Sequence, residues 1–112
     1  MLAKPNRVVR ADDFRATMRR GKRVTSPHAV VYFADRAGAQ PARFGFVVSK
    51  AVGGSVTRNL LRRRLRAISH ELVESGTSGT DIVVRALPGS GQLDWTTLHL
   101  EIATAITKGT SR

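Results

Sequence analysis

The side chains of this 112-residue sequence that could do chemistry form a sparse acid–base set and a dense basic one. The sparse set is eight Asp and Glu with three His. Asp12 and Asp13 make a carboxylate pair, but two acids opening a helix serve at least as well as caps and charge partners for its positive end. A metal-dependent nuclease needs a convergent acidic cluster, and these eight carboxylates are scattered. His28, His70 and His99 lack metal-ligand spacing and read more readily as core or surface histidines. With no cysteine there is no disulfide partner, thiolate zinc site or cysteine nucleophile. No catalytic residue and no metal ligand is assigned.

The dense set is SKAVGGSVTRNLLRRRLRAISHEL, Ser49 to Leu72, with five arginines in nine residues. On a helix starting at Ser55, Leu61, Leu65, Ile68 and Leu72 fall within about 60° of one another, a core-facing stripe. Arg58, Arg62 and Arg66 form an i, i+4, i+8 row beside it, with Asn59 and Arg63 in the adjoining row. No acid interrupts this flank before Glu71. Solvated helix faces normally mix signs for i, i+4 support, and like-charge rows cost a few tenths of a kcal/mol per pair. An external polyanion is therefore a simpler counter-charge than water. Gly53 and Gly54, with Lys50 and Arg58 nearby, serve either as a phosphate-receiving helix start or as a plain strand-to-helix turn. No Walker pattern follows them.

The whole chain has the same bias. Nineteen Lys and Arg, fifteen of them Arg, leave a net charge of +11. Arg favours phosphate because its planar fork binds two oxygens at once. A membrane-surface role fails on pattern, since the flank opposite the arginines lacks a broad apolar face. No stretch approaches ~18 consecutive apolar residues and the N-terminus has no apolar signal-peptide stretch, which together with the missing cysteines leads us to expect a cytoplasmic protein.

The elements that must position these residues follow from periodicity. Phe14, Thr17 and Met18 give a short helix stopped by Gly21. His28–Asp35 and Arg43–Ser49 are β-branched and aromatic runs, read as a hairpin across the RAGAQPA loop, with a further strand near Val24. The arginine helix runs from Ser55 to about Ser75, then a strand covers Asp81–Ala86. A final helix from Asp94 carries Trp95, Leu98, Ile102 and Ile106 on one stripe. The expectation is an α/β (α+β) sandwich in a single domain over 1–112, with 107–112 a disordered tail. FGFV in the second run echoes an RNP1 strand, but Ala42, Arg43 and Ser49 miss defining positions and alternation places Phe44, Phe46 and Val48 toward the core.

Taken together, NRVVRADDF (Asn6 to Phe14), VVYF and FGFVVSKAVGGSVTRNLLRRRLR resemble the bacterial ribonuclease P protein component in order and spacing. The resemblance runs from Asn6 to about Arg85. It implies a two-layer αβββαβα sandwich of the ribosomal protein S5 domain 2 type, with the Arg-rich helix in a left-handed βαβ crossover. It also implies that a catalytic RNA carrying Mg²⁺ removes the 5′ leader of precursor tRNA while the protein binds both RNAs. By that resemblance Arg58, Asn59, Arg62, Arg63 and Arg66, with Lys50 at the first lysine of a Ser-Lys-Lys motif, contact the catalytic RNA and, at the cleft edge, the leader backbone. Asn6, Arg7, Phe14, Met18, Val30 and Tyr32 line the leader cleft. Leu60, Ala51 and Met18 depart from the family pattern, at an arginine, a lysine and a phenylalanine position respectively. The alternative is a non-catalytic RNA-binding or ribosome-associated module. Either way, log affinity for RNA should fall with log salt at a slope of roughly −3 to −5 if four to six phosphates are neutralised; a flat response in a binding titration would remove the electrostatic reading.

Overall fold

The computed structural model describes residues 2–36 and 40–110. Its main elements are α1 (Ala11–Arg20), β1 (Lys22–Ser26), β2 (Ala29–Asp35), β3 (Arg43–Val47), α2 (Ser55–Glu74), β4 (Thr80–Ala86) and α3 (Trp95–Thr110). The order is therefore αβββαβα, as expected, and the strand near Val24 is β1.

The four strands form one sheet in the order β1-β2-β4-β3. β1 pairs antiparallel with β2, β2 antiparallel with β4, and β3 parallel with β4. This corrects the expected hairpin between the second and third strands, because β4 lies between them and the hairpin is β1–β2. β4 is buried along its length except at Arg85, and consecutive Ile82, Val83 and Val84 suit a strand covered on both faces. Such a strand belongs in the middle. The chain after β2 instead crosses the end of β4, where the amide of Arg36 donates to Gly79 O at 2.8 Å and that of Gly79 to Gln40 O at 2.8 Å.

Register sorts the strand residues into two faces. Val24, Val31, Val84 and Phe46 form one cross-strand row, and Phe33, Ile82 and Phe44 the next. On this face the sheet meets Leu61, Leu65 and Ile68 of α2 and Leu98, Ile102, Ala105 and Ile106 of α3 in one core. The α2 stripe read from periodicity is thus the buried one, each large apolar side chain contributing roughly 1.5–3 kcal/mol by burial. Trp95 is the exception to the α3 stripe: it sits in the first turn, 39% exposed, with its ring 5.5 Å from that of His99. α3 begins under an Asp94 cap, where the Thr97 amide donates to Oδ1 at 2.8 Å. That bond, the Thr97 hydroxyl and the nearby Arg64 hold the Asp94 carboxyl below the usual range.

The helix also continues further than expected. Residues 107–110 are helical rather than a disordered tail, because Gly109 lies flat on Phe33, where a Cβ would stand 2.0 Å from the ring; 111 and 112 lie outside the described residues.

α1 packs on the opposite face and ends at Gly21, whose missing Cβ lets the chain pass the Phe33 carbonyl, 2.3 Å from where that Cβ would be. A polar cluster ties α1 to the sheet. Arg43 donates from Nε and Nη2 to Asp81 at 2.8 and 2.6 Å and stands 3.5 Å from Asp13. The Asp81 hydrogen bond, opposed in part by burial, raises the Arg43 pKa further.

The β1–β2 turn is held by α3. Glu101 accepts from the Ser26 hydroxyl and the His28 amide, both at 2.8 Å, and its Oε1 lies 2.9 Å from His28 Nδ1. Burial is the largest single influence on this carboxyl and pushes it up, but the hydrogen bonds from His28 and Ser26 together outweigh burial and hold it below the usual range. A depressed carboxyl stabilises the fold above its unfolded pKa of about 4.3, and that contribution is lost as pH falls through the lower folded value. Glu101→Gln should therefore lower stability at pH 7 by about 1–3 kcal/mol. Thermal melts should show the gap to wild type shrinking between pH 5 and pH 3, and a gap of constant size would refute the carboxylate's role.

Candidate nucleic-acid interface

α2 starts without a side-chain cap, from Gly54. Gly53 precedes it at φ 155°, a conformation that favours glycine. With the apolar stripe on the sheet, the arginines are distributed by rotation. Arg58 and Arg62 are half-buried and tethered: Arg58 Nε donates to Gly53 O at 3.1 Å, and Arg62 donates to Asn59 Oδ1 at 3.1 Å and Val48 O at 3.3 Å. Arg63 and Arg66 are exposed and have no hydrogen-bond or ion-pair partner among the described residues. Arg64 faces elsewhere and donates to Leu93 O at 3.0 Å, which makes it a clasp between α2 and the segment before α3.

No described carboxylate pairs with an α2 arginine. Asp12 pairs with Arg15, Asp13 with Arg43, Asp81 with Arg36 and Arg43, and Glu101, Glu74 and Glu71 with His28, His70 and His99.

The N-terminal segment completes this side. It runs along the free edge of β3, with the Val8 amide donating to Phe44 O at 2.9 Å and Asn6 Nδ2 to Ala42 O at 2.9 Å. Alternation then sends Val8 toward Gly45 on the α1 side and Arg7 toward α2. Arg7, held by Leu2 O at 2.8 Å, joins Asn59, Arg62, Arg63, Arg66, Ala67, His70 and Glu71 around a groove of about 990 Å³. The structure thus brings Arg7 to the arginine helix instead of to Phe14, Val30 and Tyr32. Asn6 stays at the β3 edge. Lys50 is exposed in the turn before α2 and does not line the groove.

On the other face of the sheet, one row reads Thr25, Val30, Arg85, Val47 and the next Arg23, Tyr32, Val83, Gly45. α1 lies over part of it. The Phe14 ring sits where a Gly45 Cβ would be, 2.5 Å away from that position, so glycine is what lets α1 approach. Phe14, Met18 and Val30 are half-buried, while Tyr32 is only 7% exposed and forms floor more than stacking surface. Arg85, exposed beside Val30 and Val47, is a residue the sequence reading passed over. Its signal was available: a charged residue inside an otherwise apolar central strand marks an uncovered patch of sheet. The aromatics of the RNP1-like run offer no such platform, since Phe44 is buried and Phe46 packs on the core.

A family model described as Ribonuclease P matches residues 2–109. The chain belongs to that family. A ribonuclease P protein component of Clavibacter michiganensis subsp. michiganensis is 49% identical over 108 residues, covering 96% of each chain. That of Streptomyces avermitilis is 42% identical over 114 residues, covering 95% of this chain and 93% of the relative. The solved structure of the Staphylococcus aureus RNase P protein superposes with a TM-score of 0.86 at 23% identity, covering 96% of this chain and 97% of that one. The RNase P protein of Thermotoga maritima gives 0.81 at 24%, covering 91% and 96%. At these identities the superpositions speak for the fold, which is that of the bacterial ribonuclease P proteins. RNA binding and tRNA processing go with membership of the ribonuclease P family, and the resemblance read from the motifs is borne out.

The free and the tethered arginines make a clean test. Arg63→Glu with Arg66→Glu should weaken RNA binding at least ~10-fold by removing two phosphate contacts and adding repulsion, with melting nearly unchanged. Arg64→Ala should do the reverse, costing about 0.5–1.5 kcal/mol of stability for its lost hydrogen bond and sparing RNA affinity. Equal effects of both variants on binding would show that the α2 rotation does not sort the arginines as described.

Proposed function

We propose that this chain is the protein subunit of a ribonucleoprotein ribonuclease P, and that it binds two RNAs on two faces. The α2 groove, with Arg7, Arg62, Arg63 and Arg66, holds the catalytic RNA. The open sheet face under α1, with Phe14, Met18, Val30, Tyr32 and Arg85, holds the unpaired 5′ leader of precursor tRNA, whose bases pack on apolar and aromatic surface. The observation that carries the reading is the pair Arg63 and Arg66, exposed beside a groove and with no hydrogen-bond or ion-pair partner among the described residues.

Hydrolysis of the phosphodiester is assigned to the RNA subunit with its Mg²⁺. Among the described residues no group of three or more His, Asp or Glu is arranged to hold a metal ion, and the resemblance assigns the ion to the RNA. The protein's contribution is affinity and placement: cations offset phosphate repulsion between two RNAs, which lowers the divalent ion concentration needed to bring them together. Among the described residues no helix is long and apolar enough to cross a membrane.

Cleavage of a 5′-leadered precursor tRNA by a bacterial ribonuclease P RNA at low Mg²⁺ tests this. Adding the chain should restore correct 5′ cleavage, and the gain should shrink for a substrate without its leader. Cleavage by the chain alone, or no gain with the RNA present, would overturn the proposal.

A further inference from the structure

We propose that the groove between α2 and the N-terminal segment seats one unpaired nucleotide, and that Glu71 selects a base carrying an amino group. This rests on the RNA-interface reading above and assigns base discrimination to the stretch of α2 past its last arginine, from Ala67 to Glu71. The groove's volume, about 990 Å³, is at the upper end of the roughly 300–1,000 Å³ typical of small-ligand pockets. Its lining exposes more apolar than polar surface. Along α2 its chemistry changes: Asn59, Arg62, Arg63 and Arg66 come first, then Ala67, His70 and Glu71.

The Glu71 carboxylate repels a phosphate brought against it. A base takes the place instead. Its flat apolar face packs on Ala67 and the imidazole of His70, and its edge meets Glu71. Unpaired bases are recognised in this way, by stacking on aromatic or guanidinium planes with hydrogen bonds to their edges.

Glu71 is also held in place from outside. His99 on α3 sets its Nε2 3.2 Å from Glu71 Oε1, while Oε2 has no partner among the described residues. His70 leans to the next turn, its Nε2 3.7 Å from Glu74 Oε1. A lone carboxylate oxygen accepts from the exocyclic amines of cytosine, adenine or guanine. Uracil offers only an imino N–H flanked by two carbonyl oxygens, which the carboxylate repels.

The test compares binding of the full chain to single-stranded octamers of cytidine and of uridine by fluorescence anisotropy at fixed salt. Wild type, Glu71→Ala and Arg63→Glu are measured side by side. The wild type should prefer the cytidine octamer roughly fivefold or more, the lower end of what one base-edge contact supplies. Glu71→Ala should bring the preference to about one, mainly by tightening binding to uridine. Arg63→Glu should weaken both octamers by a similar factor and keep the preference. No preference in the wild type, or an equal shift of both octamers in Glu71→Ala, would overturn the selection. If the wild type binds neither octamer and Arg63→Glu changes nothing, the RNA-interface reading fails with it.

Discussion

The burial of Leu61, Leu65 and Ile68 against the sheet is the contact on which the rest depends. Three side chains on one stripe leave a helix a single rotation about its axis, and that rotation decides the position of every other residue on α2. Arg64 turns toward Leu93, Arg62 leans on the chain at Val48, and Arg63 and Arg66 are left facing outward. A cluster of unpaired positive charge thus arises from an apolar constraint. The arginines need not find each other, because they are brought together by what lies beneath them.

Electrostatics then works by allocation. Asp81 and Asp13 fasten α1 to the sheet, Glu101 fastens the β1–β2 turn to α3, and Asp94 caps α3. Apart from the Asp94 cap, each of these carboxylates joins elements distant in sequence. None of them pairs with Arg63 or Arg66, which are left without an ion-pair partner among the described residues. Glu71 is the acid at the groove's margin, and its partner is a histidine of another helix.

Much of this was legible in the sequence because it rests on local periodicity. The α2 stripe, the Gly21 stop and the inward face of Phe44 and Val48 all follow from spacing within one element. Long-range pairing was not legible in that way. His28–Asp35 and Arg43–Ser49 read as a hairpin because they are adjacent in sequence, but a strand 45 residues later takes the place between them, and only burial on both faces marks β4 as central. The side on which Arg7 lies was not legible for a related reason. Its side depends on how the N-terminal segment pairs with β3, and a one-residue change of register would have sent it to the opposite face. Trp95 was misjudged because a first-turn residue precedes the point where α3 meets the sheet.

The core that unites α2, α3 and the sheet includes no residue of α1. α1 rests on the far face through Phe14 against Gly45 and through the Arg43 cluster. Side chains on that wall can therefore change without unpacking the main body, and Met18 sits at one such position. A wall outside the core lets a lineage vary that surface while the main body keeps its packing.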